Sequence, residues 1–165
     1  MNSIFERISI RVFEEREVEE WKIIEILKAA MAAPSAQNQQ PWEFYVVTNR
    51  EKIEALSKCS PYAGCAAGAP VVLVPCCRVS DLVSPRFQLE DLSAATENML
   101  LEITALGLGG VWLGVAPAEE RMSAAREVLG LGEDMYAFAF IPVGYPGEHR
   151  SPENRFDSDR IHYIP

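Results

Sequence analysis

Two short stretches carry side chains whose types and spacing could do chemistry. In Arg7-Ile8-Ser9-Ile10-Arg11-Val12, polar and apolar residues alternate. That is the period of an extended segment, and it puts Arg7, Ser9 and Arg11 on one face. Two guanidiniums beside a hydroxyl would suit a phosphate or another oxyanion, because arginine offers fixed donor pairs to such groups. The same alternation also describes a merely solvated strand face. The second stretch, Ala33-Pro34-Ser35-Ala36-Gln37-Asn38-Gln39-Gln40-Pro41-Trp42, crowds a serine, an asparagine and three glutamines between two prolines. Pro34 ends the preceding helix by removing a donor, and Pro41 biases Gln40 towards extended backbone, so a stiff loop is expected. A stiff polar loop is either a ligand wall or an ordinary helix-to-strand connection with surface amides.

Other chemistry is poorly supplied. The only histidines, His149 and His162, lie in the last 20 residues. No serine elbow is present, and no cysteine stands beside a base. Cys76 and Cys77 are adjacent in an apolar strand pattern, and Cys59 and Cys65 lack metal-ligand spacing, so all four read as buried or half-buried free thiols, with a redox or metal role as the alternative. The glycines of Gly107-Leu108-Gly109-Gly110 follow a helix and open a strand, the reverse of a dinucleotide fingerprint, and Trp112 occupies the place of its third glycine. With no catalytic side chain advertised, a bound cofactor would have to carry the chemistry.

The elements that must position these groups follow from periodicity. An amphipathic helix over 18–32, with Val18, Trp21, Ile24, Ile26, Leu27, Ala30 and Met31 as its apolar positions, delivers the chain to the polar loop. Residues 43–48 form a strand, and Asn49 caps a short helix over 50–57. Residues 71–77 are a buried strand in which Pro75 signals an edge or a bulge. A long helix over 87–106 with a broad apolar face ends at Gly107 and leads into a strand over 109–115. A second amphipathic helix spans 117–129, and a core strand spans 136–145. The tail over 146–165 has few core signals and reads as disorder or as an arm packed on a partner chain.

At 165 residues with 48% hydrophobic and 24% charged residues, the chain is most simply one soluble domain. Its 24 acidic against 15 basic residues give a formal charge of −9. Such a surface repels phosphate backbones and anionic lipid, so neither nucleic acid nor a membrane is an expected partner. The start of the chain lacks a signal-peptide pattern and no apolar run is long enough to span a bilayer, which points to the cytoplasm.

Taken in order, Arg7-x-Ser9-x-Arg11, Ala33-Pro34-Ser35-Ala36-x-Asn38-x-Gln40-Pro41-Trp42, Ala95-Thr96-Glu97-Asn98-Met99-Leu100-Leu101 leading into Ala105-Leu106-Gly107-Leu108-Gly109, and Gly144-Tyr145-Pro146 followed by Arg155 resemble the nitroreductase family of FMN-dependent oxidoreductases. The resemblance spans nearly the whole chain. It implies an α+β fold with a central, mainly antiparallel sheet flanked by helices, in an intertwined homodimer whose 146–165 arm wraps the partner and whose two FMN molecules sit at the interface. By the same resemblance, Arg7, Ser9 and Arg155 would hold the FMN phosphate, with Ile8 also contacting the cofactor and Arg11 nearer the pyrimidine edge. Pro34, Ser35, Ala36 and Asn38 would reach the partner's flavin, and the backbone of Leu113, Gly114 and Val115 would approach flavin N5 and O4. The implied activity is hydride transfer from NADH or NADPH to flavin N5, then reduction of a small planar acceptor such as a nitroaromatic or quinone. Related flavin chemistry, namely reductive dehalogenation or flavin breakdown, and flavin binding without turnover are the alternatives. The chain departs from larger members over Tyr62-Ala63-Gly64-Cys65-Ala66-Ala67, where an asparagine and a lysine often stand, and is shorter before its long helix.

Overall fold

A computed structural model describes residues 2–165. Its helices are α1 (Ser3–Glu6), α2 (Glu20–Met31), α3 (Arg50–Ser57), α4 (Gln88–Ala105) and α5 (Glu119–Leu129). Its strands are β1 (Trp42–Val47), β2 (Val71–Arg78), β3 (Gly109–Gly110), β4 (Leu113–Gly114), β5 (Met135–Ala137) and β6 (Ala139–Gly144). The sheet runs β1-β2-β6-β3, with β5 also pairing β2 and β4 also pairing β6. Every one of these pairings is antiparallel, which bears out an α+β architecture.

The β2 sequence is apolar from Val71 to Cys77, where both of its faces are covered. Val71, Leu73 and Cys77 belong to the core shared with α2 and α4, whereas Val72, Val74 and Cys76 belong to the core shared with α3 and α5. Pro75 therefore sits inside a central strand and not at an edge; of the two expectations the bulge holds, since the register against β2 shifts by one residue between Cys76–Ala137 and Leu73–Ile141. The chain accommodates it on the partner side: the strand expected over 136–145 breaks at Phe138, whose N–H donates to the Pro75 carbonyl at 2.8 Å while β5 and β6 pair the residues on either side. The strand expected over 109–115 is likewise two short pieces, both against β6. Asn49 caps α3 as expected, its side chain accepting the Lys52 N–H at 3.0 Å. The α1 turn was not anticipated.

Alternate facing also decides the cysteines. All four are free; Cys76 and Cys77 are buried, and Cys59 and Cys65 are half-buried. Burial pushes every thiol up, Cys76 to about 12. A thiol reagent at pH 8 is thus expected to label Cys59 and Cys65 slowly and to leave Cys76 and Cys77 untouched until the protein is unfolded. Peptide mapping checks this, and fast labelling of Cys76 in the folded protein would contradict the packing.

The α2 helix shows where periodicity misled. Ile23, Ile26 and Ala30 face the core, but Trp21, Ile24 and Met31, expected inside, are exposed, Trp21 by 57%. The helix carries two apolar stripes, and one chain covers only one of them. The tail is similar: 151–165 is exposed throughout, including Phe156, Tyr163 and Ile164. Among the described residues, no helix is long and apolar enough to cross a membrane.

Candidate functional site

The N-terminal arginine segment is held by backbone contacts, not by its own side chains. Ser9 bridges Gly110 in parallel, and the Ile10 N–H donates to the Gly110 carbonyl at 3.0 Å. Ile10, 4% exposed, fills the space beside Gly109, where a Cβ would lie 2.7 Å from its own. With Ile10 pinned inward, Arg7, Ser9 and Arg11 are left to line the outer side of the segment.

The chain meets this segment again at its other end. Phe13 bridges Pro146, the Glu14 N–H donates to the Tyr145 carbonyl at 3.0 Å, and the Gly147 N–H donates to the Val12 carbonyl at 2.9 Å. A clasp of side chains fixes this corner. The Tyr145 hydroxyl donates to the Glu19 carboxylate at 2.8 Å, and Lys22 donates to the Tyr145 hydroxyl at 2.9 Å and to the Leu106 carbonyl at 3.1 Å. The Arg16 guanidinium stacks on the Tyr145 ring at 3.6 Å. A hydrogen bond with backbone, then the one from Tyr145, holds the Glu19 carboxyl below its usual range.

Between the arginine segment and the start of the tail lies an open cleft of about 800 Å³, within the range of roughly 300–1,000 Å³ usual for small-molecule sites. Arg7, Ile8, Ser9 and Arg11 line one wall, and Arg150, Asn154, Arg155 and Phe156 line the other. Four guanidiniums therefore share a cleft in which Glu153 is the only carboxylate among the described residues that line it, in a chain of net charge −9. Their ion pairs are loose: Arg7 with Glu97 at 3.6 Å and Arg155 with Glu153 at 3.8 Å. The Arg150 guanidinium also donates to the Ser9 carbonyl at 3.2 Å. This donor set fits a phosphate monoester, and the flanking Ile8, Phe5 and Phe156 suit a flat apolar body attached to it.

The polar loop is stiff, but for reasons other than its prolines. Gln37, Asn38 and Gln40 have φ of 50°, 55° and 45°, so Gln40 is left-handed and not extended as Pro41 suggested. Left-handed backbone at a residue other than glycine costs about 1–3 kcal/mol and persists only where surroundings enforce it. The enforcement is visible. Ser35 Oγ accepts the Gln40 N–H at 3.0 Å, and buried Asp91 accepts the Ala36 N–H at 2.8 Å and the Gln39 side-chain amide at 2.6 Å. Gln39 exchanges two further hydrogen bonds with the Ser84 backbone, at 2.9 and 2.8 Å. Asp91 and Ser84 were not singled out from sequence. The available signal was one carboxylate on the buried face of α4.

Within one chain the structure thus gathers Arg7, Ile8, Ser9, Arg11 and Arg155 in the cleft and adds Arg150. Pro34, Ser35, Ala36 and Asn38, and likewise Leu113, Gly114 and Val115, lie outside it. Leu113 and Val115 are buried, and the Val115 N–H is already committed to the Phe138 carbonyl at 3.1 Å. Gly114 is exposed, its carbonyl accepts from Arg121 at 3.1 Å, and a Cβ there would meet nothing within 4 Å, so packing inside the chain does not demand a glycine.

A model of the nitroreductase family matches residues 4–63 and 58–145. A Methanothermobacter thermautotrophicus protein provisionally named NADH dehydrogenase/NAD(P)H nitroreductase is 43% identical over 162 residues, covering 98% of this chain and 85% of that one. The solved structure of an FMN-dependent nitroreductase from Clostridium difficile R20291 superposes with a TM-score of 0.92 at 29% identity, covering 99% of this chain and 98% of that one. A protein from Desulfovibrio desulfuricans, provisionally named a nitroreductase and crystallised in complex with FMN, gives 0.84 at 28% identity, with 99% and 95% covered. The chain belongs to the nitroreductase family.

Proposed function

We infer that this protein is an FMN-dependent NAD(P)H oxidoreductase that passes electrons to a small planar acceptor, a quinone or a nitroaromatic. The observation that carries this reading is the cleft in which four arginines converge in an otherwise acidic protein that belongs to the nitroreductase family. When bound, FMN supplies the redox step, accepting a hydride equivalent from the nicotinamide and giving electrons to the acceptor. The protein binds, orients and excludes water. Arg7, Ser9 and Arg155 would hold the phosphate, Ile8 would contact the cofactor beside them, and Arg11 would place positive charge at the pyrimidine edge, where electron density builds on reduction. Pro34, Ser35, Ala36 and Asn38 would come from the second subunit, which accounts for their lying outside the cleft of a single chain.

Residues 1–165 are read as one FMN-binding domain in a homodimer, with 146–165 as the arm on the partner. The exposed stripe of Trp21, Ile24 and Met31 and the exposed Phe156, Tyr163 and Ile164 supply the apolar surface that such a dimer would bury. The cytoplasm is the expected compartment.

A visible spectrum of the purified, FMN-reconstituted protein tests the cofactor and the activity together. Flavin absorbance should survive desalting, bleach on anaerobic addition of NAD(P)H and return with a quinone; a colourless protein would end the reading. Arg155→Ala should then weaken FMN retention about ten-fold, as befits one lost charge-assisted contact to phosphate. Unchanged affinity in that variant would remove the tail from the site.

A further inference from the structure

At Gly147 the backbone ladder between 12–14 and 145–147 ends, yet the tail does not leave. Its next charged side chains continue the pairing. The Glu148 carboxylate accepts the Arg11 N–H at 2.6 Å and the Val12 N–H at 3.2 Å through one oxygen. Arg150 then donates to the Ser9 carbonyl at 3.2 Å. Side chains thus replace the missing backbone partners on the segment that carries Arg7, Ser9 and Arg11 into the cleft, and the tail that brings Arg150 and Arg155 to the opposite wall starts from the same clip.

We propose that Glu148 is a positioning residue for the anion end of the cleft: it fixes the spacing between the two arginine walls and so sets how tightly a phosphate group is held. The geometry requires only one side-chain oxygen, which accepts both N–H groups. An unpartnered pair of adjacent N–H groups at 11 and 12 would leave residues 7–12 attached to the start of the tail by the Gly147 and Arg150 bonds, with the ladder at 13–14 beyond them. Glu148 does not line the cleft, so it acts through the residues it orders. The proposal rests on the flavin reading above.

The test compares FMN with riboflavin, which lacks the phosphate, by quenching of flavin fluorescence on titration with wild type, E148A and E148Q. Wild type should prefer FMN. E148A should raise the FMN Kd about ten-fold, the loss expected of charge-assisted backbone contacts, while leaving the riboflavin Kd within about two-fold. E148Q keeps a carbonyl oxygen for the two N–H groups and should restore FMN affinity to within about three-fold of wild type. If FMN and riboflavin weaken together, or if neither weakens, Glu148 does not set the anion end and the proposal is overturned. An E148Q protein that stays as weak as E148A overturns it too. Failure of the flavin reading shows separately, as a wild-type protein that binds neither flavin.

Discussion

Gly109→Ala is expected to destabilise the protein by about 1–3 kcal/mol, the usual cost of forcing a methyl into a filled core, and to loosen FMN binding at the same time. The new Cβ would stand 2.7, 2.8 and 2.9 Å from three atoms of Ile10. Those atoms belong to the branch point of a buried side chain, so they do not swing aside as the end of a lysine would. The segment must retreat instead, and with it go the Ile10 N–H bond to Gly110 and the placement of Arg7, Ser9 and Arg11 along the cleft. Denaturant unfolding of the apoprotein and an FMN titration measure the two effects. Gly114→Ala is the natural comparison, since a Cβ there meets open space. Its stability should stay within about 0.5 kcal/mol of wild type, while any change in flavin or acceptor binding would report a ligand near that backbone. Equal stability of both variants would refute the account of Gly109.

Asp91→Ala is expected to cost about 1–3 kcal/mol, because it removes the acceptor of two half-buried donors, one of which keeps a second bond to the Ser84 carbonyl. The Ala36 N–H and the Gln39 amide both aim at this carboxylate. Losing it also withdraws the restraint on Gln37, Asn38 and Gln40, whose left-handed backbone should relax. Hydrogen exchange over residues 36–40 should speed up strongly, and limited proteolysis should cut the loop. Asp91→Asn retains one acceptor oxygen but turns an NH2 group on a donor, so partial recovery is the expected result. A loop that keeps its protection in Asp91→Ala would show that Ser35 and Ser84 suffice to shape it.

Much of the fold was legible because its signals are local. The helices over 20–31, 50–57, 88–105 and 119–129 follow from apolar spacing and caps, and the buried run of β2 follows from composition. The breaks at Phe138 and between Gly110 and Leu113 were not legible, because strand continuity is decided by the neighbour: β6 and β5 meet β2 at different residues on either side of Pro75. The inward face of α2 was misjudged for a related reason. Periodicity finds an apolar stripe, but a helix with two stripes has two candidate faces, and only the position of α4 and the sheet decides which is covered.

The site divides the same way. Residue types alone determined that Arg7, Ser9 and Arg11 could hold an oxyanion and that the run from Pro34 to Pro41 is rich in hydrogen-bonding groups, since donor count belongs to the residue itself. Tertiary structure decided that Arg150 joins Arg7, Arg11 and Arg155, that Asp91 and Ser35 hold the loop in left-handed backbone, and that Glu148 ties the tail to the arginine segment. The hydrogen bonds of Asp91, Glu148 and Arg150 join residues 52 to 141 positions apart, whereas that of Ser35 lies within the loop itself. No local pattern encodes them, because a hydrogen bond across such a distance exists only once the sheet and helices have brought its two ends together.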